Sequence, residues 1–162
     1  MKTKFSWIFY CLVSLLLSQS LSAAERFVTN ESNGFVWIQQ GKAYPILVDS
    51  REDKGVVRAV ANLQTDAGKV TGITPEIIYS VAGNRMLIIG SIENSSWIKQ
   101  LLKAGKINAA DLQGKREKYI LQMVKQPMEG VDEAVVIAGS DKRGTIYGIY
   151  ELSQQMGVSP WY

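Results

Sequence analysis

Two patterns in the sequence predict an α/β fold: a small layered domain whose mixed β-sheet is covered by helices. Short apolar runs of strand length recur along the chain, and amphipathic stretches of helical period separate them. The composition agrees, since 46% hydrophobic and 20% charged residues in a 162-residue chain suit one globular domain with a real core.

The first stretch, "MKTKFSWIFYCLVSLLLSQSLSAAE", has the layout of an export signal and is set aside from the fold. Lys2 and Lys4 form a basic start. The apolar run from Phe5 to Leu17, broken only by Ser6 and Ser14, is too short for a comfortable permanent membrane span. "LSAA" then offers small residues, so residues 1–23 read as a signal peptide cleaved after Ala23 or Ala24. An uncleaved anchor fits less well for the same reason of length. A lipoprotein fits less well still, because Cys11 lies inside the apolar run with no small-residue box before it. The expected location is exported: periplasmic, cell-surface or extracellular.

The accessory α/β domain is expected over residues 25–157, with 158–162 beginning a junction. "NGFVWIQQGKAYPILVDS" predicts strands at Phe35 to Ile38 and Ala43 to Val48, with Gly41 supplying the turn. A helix follows: Ser50 with Asp53 three residues on suggests a capping box, Val56, Val60 and Leu63 recur at helical spacing, and Gly68 stops it. "TPEIIYS" and "RMLIIGS" read as strands on either side of the turn "VAGN", with Met86 to Ile89 apolar enough to be central. Trp97, Ile98, Leu101 and Leu102 form one face of a second helix that stops at Gly105, and Asp111 and Leu112 add a single turn. "REKYILQMV" alternates like a strand with partial burial on both sides, and "EAVVIAGS", bounded by Glu133 and Gly139, is the most strand-like run. The last helix is expected from about Arg143 to Met156, ending at Gly157 with Pro160 beyond. About 138 residues suffice for such a core.

The residues that are missing exclude much chemistry. Cys11 is the sole cysteine and leaves with the signal, so the exported domain can hold neither a disulfide framework nor a thiolate site. The chain has no histidine, which rules out Ser-His-Asp and Cys-His catalysis and the common zinc sites within it. Net charge is +3, and loss of Lys2 and Lys4 leaves 16 basic against 15 acidic residues, so no electrostatic case for nucleic acid survives. No cofactor is expected.

"GSDKRGT", between a strand and a helix, has the G-x-x-x-x-G frame of a phosphate loop. Thr145 and Ile146 stand where the loop needs Lys and Ser or Thr, and the dinucleotide G-x-G-x-x-G pattern is missing too. A structural reading is stronger: Ser140 or Asp141 caps the helix, and Lys142 and Arg143 are solvated or pair locally. Gly144 and Gly148 then fall four apart on one stripe with Leu152. Each glycine costs a helix about 1 kcal/mol against alanine, so two on one stripe predict a close approach to the sheet or to another domain.

"AGSDKRGTIYGIYELSQQMGVSPWY" closely resembles the end of the N-terminal domain of glycoside hydrolase family 115, the xylan α-1,2-glucuronidases. "RMLIIGS" followed by a helix is also similar to that family. The resemblance follows the strand and helix order of the whole exported chain and is detailed from about Val135 onward. It implies a fold like the small α/β domain that precedes the barrel in hexosaminidases and in family 67 α-glucuronidases. It further implies an N-terminal fragment, ending shortly before a catalytic (β/α)8 barrel.

The activity implied for the parent enzyme is removal of (4-O-methyl)glucuronic acid from xylan or glucuronoxylan by inversion. That needs two carboxyl groups roughly 6.5–9.5 Å apart on the barrel. No residue here matches those positions, so no catalytic residue is assigned and the fragment alone is expected to be inactive. Asp49, Asp53, Asp66, Glu93 and Asp141 are the carboxylates available, and helix starts or polar exits account for them better. Trp37 and Trp97 suit packing better than sugar stacking, whereas Trp161 sits where a barrel would begin. The expected interdomain seam is Gly144, Gly148, Trp161 and Tyr162. The alternative is a stand-alone exported carbohydrate-binding or structural domain. The sequence leaves the oligomeric state open.

Overall fold

The computed structural model of the chain describes residue 28 and residues 34–159. The export signal with its cleavage point, and Trp161 and Tyr162 of the expected seam, lie outside the described residues.

In chain order the elements are β1 (Ile38–Gln39), β2 (Lys42–Ala43), β3 (Ile46–Val48), α1 (Lys54–Thr71), β4 (Ile77–Ile78) and β5 (Arg85–Ser91). Then come α2 (Ser96–Lys103), a 3-10 turn (Ala109–Asp111), β6 (Tyr119–Lys125), β7 (Glu133–Gly139) and α3 (Lys142–Gln155). β1 and β2 form a small hairpin. The main sheet has the order β4-β3-β5-β7-β6, parallel throughout except for β6, which runs antiparallel along β7.

Strand periodicity divides the apolar residues between two layers. Leu47, Met86, Ile88 and Val136 point to one face, where they meet Ile98 and Leu101 of α2 and Leu112 after the 3-10 turn. Ile46, Val48, Leu87, Ile89 and Ile137 point to the other, against Val56, Val60 and Leu63 of α1 and Ile149 and Leu152 of α3. Helices on both faces explain why the central strand β5 is apolar on consecutive residues, as buried parallel strands are. Each fully buried Leu or Ile contributes about 1.5–3 kcal/mol relative to exposure.

Several local expectations need correction. The strand expected over Ala43 to Val48 is two strands, β2 in the hairpin and β3 in the main sheet, separated by Tyr44 and Pro45. Pro45 lacks an N–H, and its carbonyl accepts the Leu87 N–H at 2.9 Å, so the chain changes partners at that point. The turn before it holds Gln40 at φ 49° as well as Gly41 at φ 80°, the two positive φ values that tight hairpins favour.

The α1 cap is Asp53 itself, whose side chain accepts the Gly55 N–H at 2.8 Å, rather than a box begun by Ser50. The helix also runs past Gly68 to Thr71 and closes on Gly72 at φ 75°. Gly68 remains inside because Thr74 folds back over it; a Cβ there would stand 2.7 Å from the Thr74 hydroxyl. β4 and β5 are not neighbours across "VAGN": each pairs with β3, on opposite sides. The single turn near Asp111 covers Ala109–Asp111, leaving Leu112 just outside it and fully buried. The last helix starts at Lys142 and ends at Gln155.

Candidate functional site

In open α/β sheets, ligands bind beyond the carboxyl ends of the strands, where successive connections leave for opposite faces. Here the chain leaves β3 through α1 on one face and leaves β5 through α2 on the other, so the crevice between β3 and β5 is that point. Side chains fill it. Asp49, 4% exposed, accepts the Ser96 N–H at 2.7 Å and the Ser96 hydroxyl on Oδ2, and the Arg51 N–H at 2.9 Å on Oδ1. The Arg51 guanidinium joins both oxygens, at 3.2 Å from Nε and 3.1 Å from its terminal nitrogen.

Glu52, 6% exposed, accepts the Ser91 N–H at 2.8 Å, the Ser91 hydroxyl at 2.8 Å and the Asp53 N–H at 3.2 Å. Gly90 is required beneath it, because a Cβ would lie 2.5 Å from Ser95 Cβ and 3.0 Å from Glu52 Oε2. Arg51 beside Asp49 holds its carboxyl well below the usual carboxylate range, against the opposing effect of burial and with help from Ser96. The crevice is a closed hydrogen-bonded plug that ties α2 to the end of β3.

A second space, an open cleft of about 520 Å³, lies beyond β5 and β7. Its acids are Asp53, Glu93, Glu117 and Asp141; Arg116, Lys142, Arg143 and Asn94 complete it. Two helix N-termini reach this cleft, and each is already capped by its own carboxylate. Asp141 accepts the Gly144 N–H at 2.8 Å and the Glu117 N–H at 2.8 Å, and Asp53 caps α1. Burial pushes the Asp141 carboxyl up, but hydrogen bonds from the backbone of Glu117, Gly144 and Arg143 outweigh it and hold it low. The phosphate-loop frame is tightly folded as well: a Cβ at Gly139 would meet Thr145 N at 2.2 Å. A bound anion would have to displace Asp141.

The sheet, its two helical layers and the capped loop entering α3 are the setting in which known proteins become comparable. The family model described as glycosyl hydrolase family 67 N-terminus matches residues 31–152. The chain belongs to this family. Among solved structures, this family 67 N-terminal domain is similar to a family GH115 4-O-methyl-α-glucuronidase, BtGH115A, with specificity for decorated arabinogalactans. The identity is 32% and the TM-score 0.62, over 76% of this chain. The match spans 15% of the length of the glucuronidase chain. No curated protein matches the sequence.

Within the family 67 N-terminal domain, Gly144 and Gly148 stand on the inner side of α3. A Cβ on Gly144 would lie 2.2 Å from the Lys118 carbonyl oxygen, and one on Gly148 would lie 2.7 Å from Ile137 Cγ2 and 2.9 Å from the Tyr119 ring. The close approach is therefore to the domain's own β6 and β7. Trp37 is half-buried, donates its indole N–H to the Tyr44 carbonyl at 2.9 Å and packs on the α1 and α3 layer. Trp97 packs on the α2 layer.

The structure separates the five carboxylates singled out from the sequence. Asp49 is in the plug, Asp53, Glu93 and Asp141 border the open cleft, and Asp66 is half-buried along α1. Sequence reasoning missed Glu52, Ser91 and Glu117. Glu52 follows a strand end and has no periodic signature, and the φ of 56° at Glu117 leaves no trace in composition. Sequence reasoning also missed Ser95, which caps α2 by accepting the Ile98 N–H at 3.3 Å, although a serine just before an apolar helical run is the signal that would have found it. Among the described residues, no group of three or more Asp, Glu, Cys or His could hold a metal ion, and no helix is long and apolar enough to cross a membrane.

Proposed function

We propose that this chain is the non-catalytic N-terminal domain of an exported α-glucuronidase of the family 115 type, which removes 4-O-methylglucuronic acid from a decorated plant polysaccharide by inversion. The observation that carries this reading is the 32% identity to a 4-O-methyl-α-glucuronidase across 76% of the chain. The family membership supports it from a second side. The geometry of the domain is consistent with a supporting role, because the crevice where an α/β sheet would bind a ligand is filled by Asp49, Glu52 and their serine partners.

Two polysaccharides compete as substrate. Glucuronoxylan follows from the family that the last helix resembles, whereas the similar solved enzyme has specificity for decorated arabinogalactans. The test uses the protein encoded by the complete reading frame, incubated separately with glucuronoxylan and with a glucuronidated arabinogalactan, and measures released 4-O-methylglucuronic acid. Release from one of them, with none from the 162-residue chain alone, is the expected result. Release by the 162-residue chain would overturn the non-catalytic assignment, and a reading frame that ends at Tyr162 would overturn the parent enzyme. Export is checked by intact mass, where loss of residues up to Ala23 or Ala24 is expected and retention of Met1 defeats it.

A further inference from the structure

The open cleft beyond β5 and β7 is polar on every side. Each residue that lines it is charged or an asparagine, so it offers no apolar wall to an aromatic or aliphatic ligand. Most of its charges are already engaged. Asp53 and Asp141 cap α1 and α3, Glu117 pairs with Arg143 at 3.0 Å, and Lys142 stands 3.8 Å from Asp53. Three side chains make no hydrogen bond or ion pair among the described residues: Glu93 and Asn94 in the turn after β5, and Arg116 in the loop before β6.

The backbone that carries these three is fixed. Asn94 donates its N–H to the Ser91 hydroxyl at 3.1 Å, and that hydroxyl donates in turn to Glu52 of the buried plug. Glu117, next to Arg116, is held in the left-handed region at φ 56°, a conformation that costs a non-glycine residue energy unless its surroundings impose it. The surroundings do so here. The Glu117 N–H donates to Asp141 at 2.8 Å, the Lys118 N–H donates to the Ser140 hydroxyl at 3.0 Å, and the Lys118 carbonyl accepts the Ser140 N–H at 2.8 Å. Walls this constrained lose little freedom when a ligand arrives, which leaves three side chains to order.

The chemistry of those side chains selects the ligand. A guanidinium offers two parallel N–H groups that match one carboxylate. A carboxylate beside an amide accepts from and donates to neighbouring hydroxyls. Phosphate suits the cleft less, because its usual seat is an open helix N-terminus, and Asp53 and Asp141 occupy both of those with charge of the same sign.

We propose that this cleft binds a sugar acid, with Arg116 gripping the carboxylate and Glu93 and Asn94 bonding ring hydroxyls. Its volume of about 520 Å³ has room for a monosaccharide, since pockets of about 300–1,000 Å³ hold small molecules. The choice of glucuronate among sugar acids rests on the α-glucuronidase reading above, in which the site keeps a second charged side chain of the polysaccharide beside the enzyme.

The test titrates the 162-residue chain with glucuronate, glucose, acetate and inorganic phosphate, and follows backbone amide shifts by nuclear magnetic resonance. Glucuronate should give saturable shifts centred on Glu93, Asn94, Arg116 and Glu117, and the other three should bind about tenfold more weakly or not at all. Arg116→Ala should weaken glucuronate by about tenfold, the loss of one charge-assisted pair, and Arg116→Lys should recover only part of it. Lys69→Ala, in the last turn of α1, should leave binding at the wild-type value. Arg116 is exposed, so unfolding midpoints should not move. No saturable shift, or unchanged binding in Arg116→Ala, would overturn the proposal. Acetate binding as well as glucuronate would remove the sugar from it, and phosphate binding more tightly would overturn it in favour of a phosphate site. Uronic acid release by the protein of the complete reading frame, without binding here, would sink this site and leave the glucuronidase reading standing. Binding here with no such release would do the reverse.

Discussion

The two spaces beyond the strand ends use the same residue types and reach opposite outcomes. Between β3 and β5, Asp49 and Glu52 are buried and accept hydrogen bonds from Ser91 and Ser96. Beyond β5 and β7, Asp53 and Glu117 pair with Lys142 and Arg143 at an open cleft that Asp141 also borders. Burial decides the difference, because a buried donor without an acceptor costs about 1–3 kcal/mol while an exposed ion pair contributes about 0–1. Carboxylates in the plug are therefore held by buried hydrogen bonds, whereas in the cleft the ion pairs count for little and it is the helix caps of Asp53 and Asp141 that are structural.

The largest expected effect lies in the plug. Glu52→Ala removes the acceptor for the Ser91 N–H and hydroxyl in a buried site and leaves a void under them. A loss of about 3 kcal/mol follows, read as a lower urea midpoint at unchanged slope. A midpoint equal to wild type would show that water replaces the carboxylate and that the crevice is open, which would erase the contrast with the cleft.

Nearly as large an effect is expected where α3 enters from the cleft. Gly144→Ala puts a methyl against the Lys118 backbone, which cannot rotate away, whereas Gly148→Ala meets the ends of Ile137 and Tyr119, which can shift. Both should destabilise the 162-residue chain, Gly144→Ala by about 3 kcal/mol and Gly148→Ala by about 1–2 kcal/mol. Stabilisation by roughly 0.5–1 kcal/mol is the outcome for an open helix position, so the sign alone decides. A rise in midpoint for either variant defeats the close packing at that glycine.

These cases also show which features a sequence can disclose. The layered fold was legible because periods of 2 and 3.6 survive in "EAVVIAGS" and in Val56, Val60 and Leu63. The glycine pair on α3 was legible as a packing stripe, because glycine in a helix has a known cost. What it packs against was not, since Lys118 is brought over Gly144 by the register of β6 on β7, a long-range pairing. The plug was hidden for the same reason: Glu52 and Ser91 are 39 residues apart, and no local pattern links them. Pro45 was the one local sign that the second strand must break, and the apolar run around it masked that sign.

Acid should separate the two spaces as well. Asp49 has a folded pKa held below its ordinary value, first by Arg51 and then by Ser96 against burial. For a depressed carboxylate, the stabilisation is present above the unfolded pKa of about 3.9 and is lost as pH falls toward the folded value. Stability should therefore decline below pH of about 4, and Asp49→Asn, costing about 2 kcal/mol at neutral pH, should flatten that decline. Asp141 is depressed in the same direction and adds to the slope. Unfolding midpoints across the acid range check this. An undiminished slope in Asp49→Asn would assign the acid sensitivity to the cleft instead.

The smallest expected effect is the sharpest check on the open side. Lys142 reaches Asp53 at 3.8 Å, with side chains 59% and 34% exposed, so water screens the pair and holding a lysine in one geometry offsets much of the attraction. Asp53 also keeps its cap on Gly55 without the lysine, because that bond is to backbone. Lys142→Ala should therefore change stability by less than about 0.5 kcal/mol, with little dependence on salt. Arg143 is bound more tightly, to Glu117 at 3.0 Å and to the Tyr147 hydroxyl at 2.9 Å, yet its side chain is 61% exposed. Arg143→Ala should likewise have a small effect, with any excess over Lys142→Ala coming from stem packing on the Tyr147 ring. Denaturant midpoints at low and high salt measure both. A cost above about 2 kcal/mol for Lys142→Ala would mean that the cleft shields its charges as the plug does, and the contrast between the two spaces would then be one of shape alone.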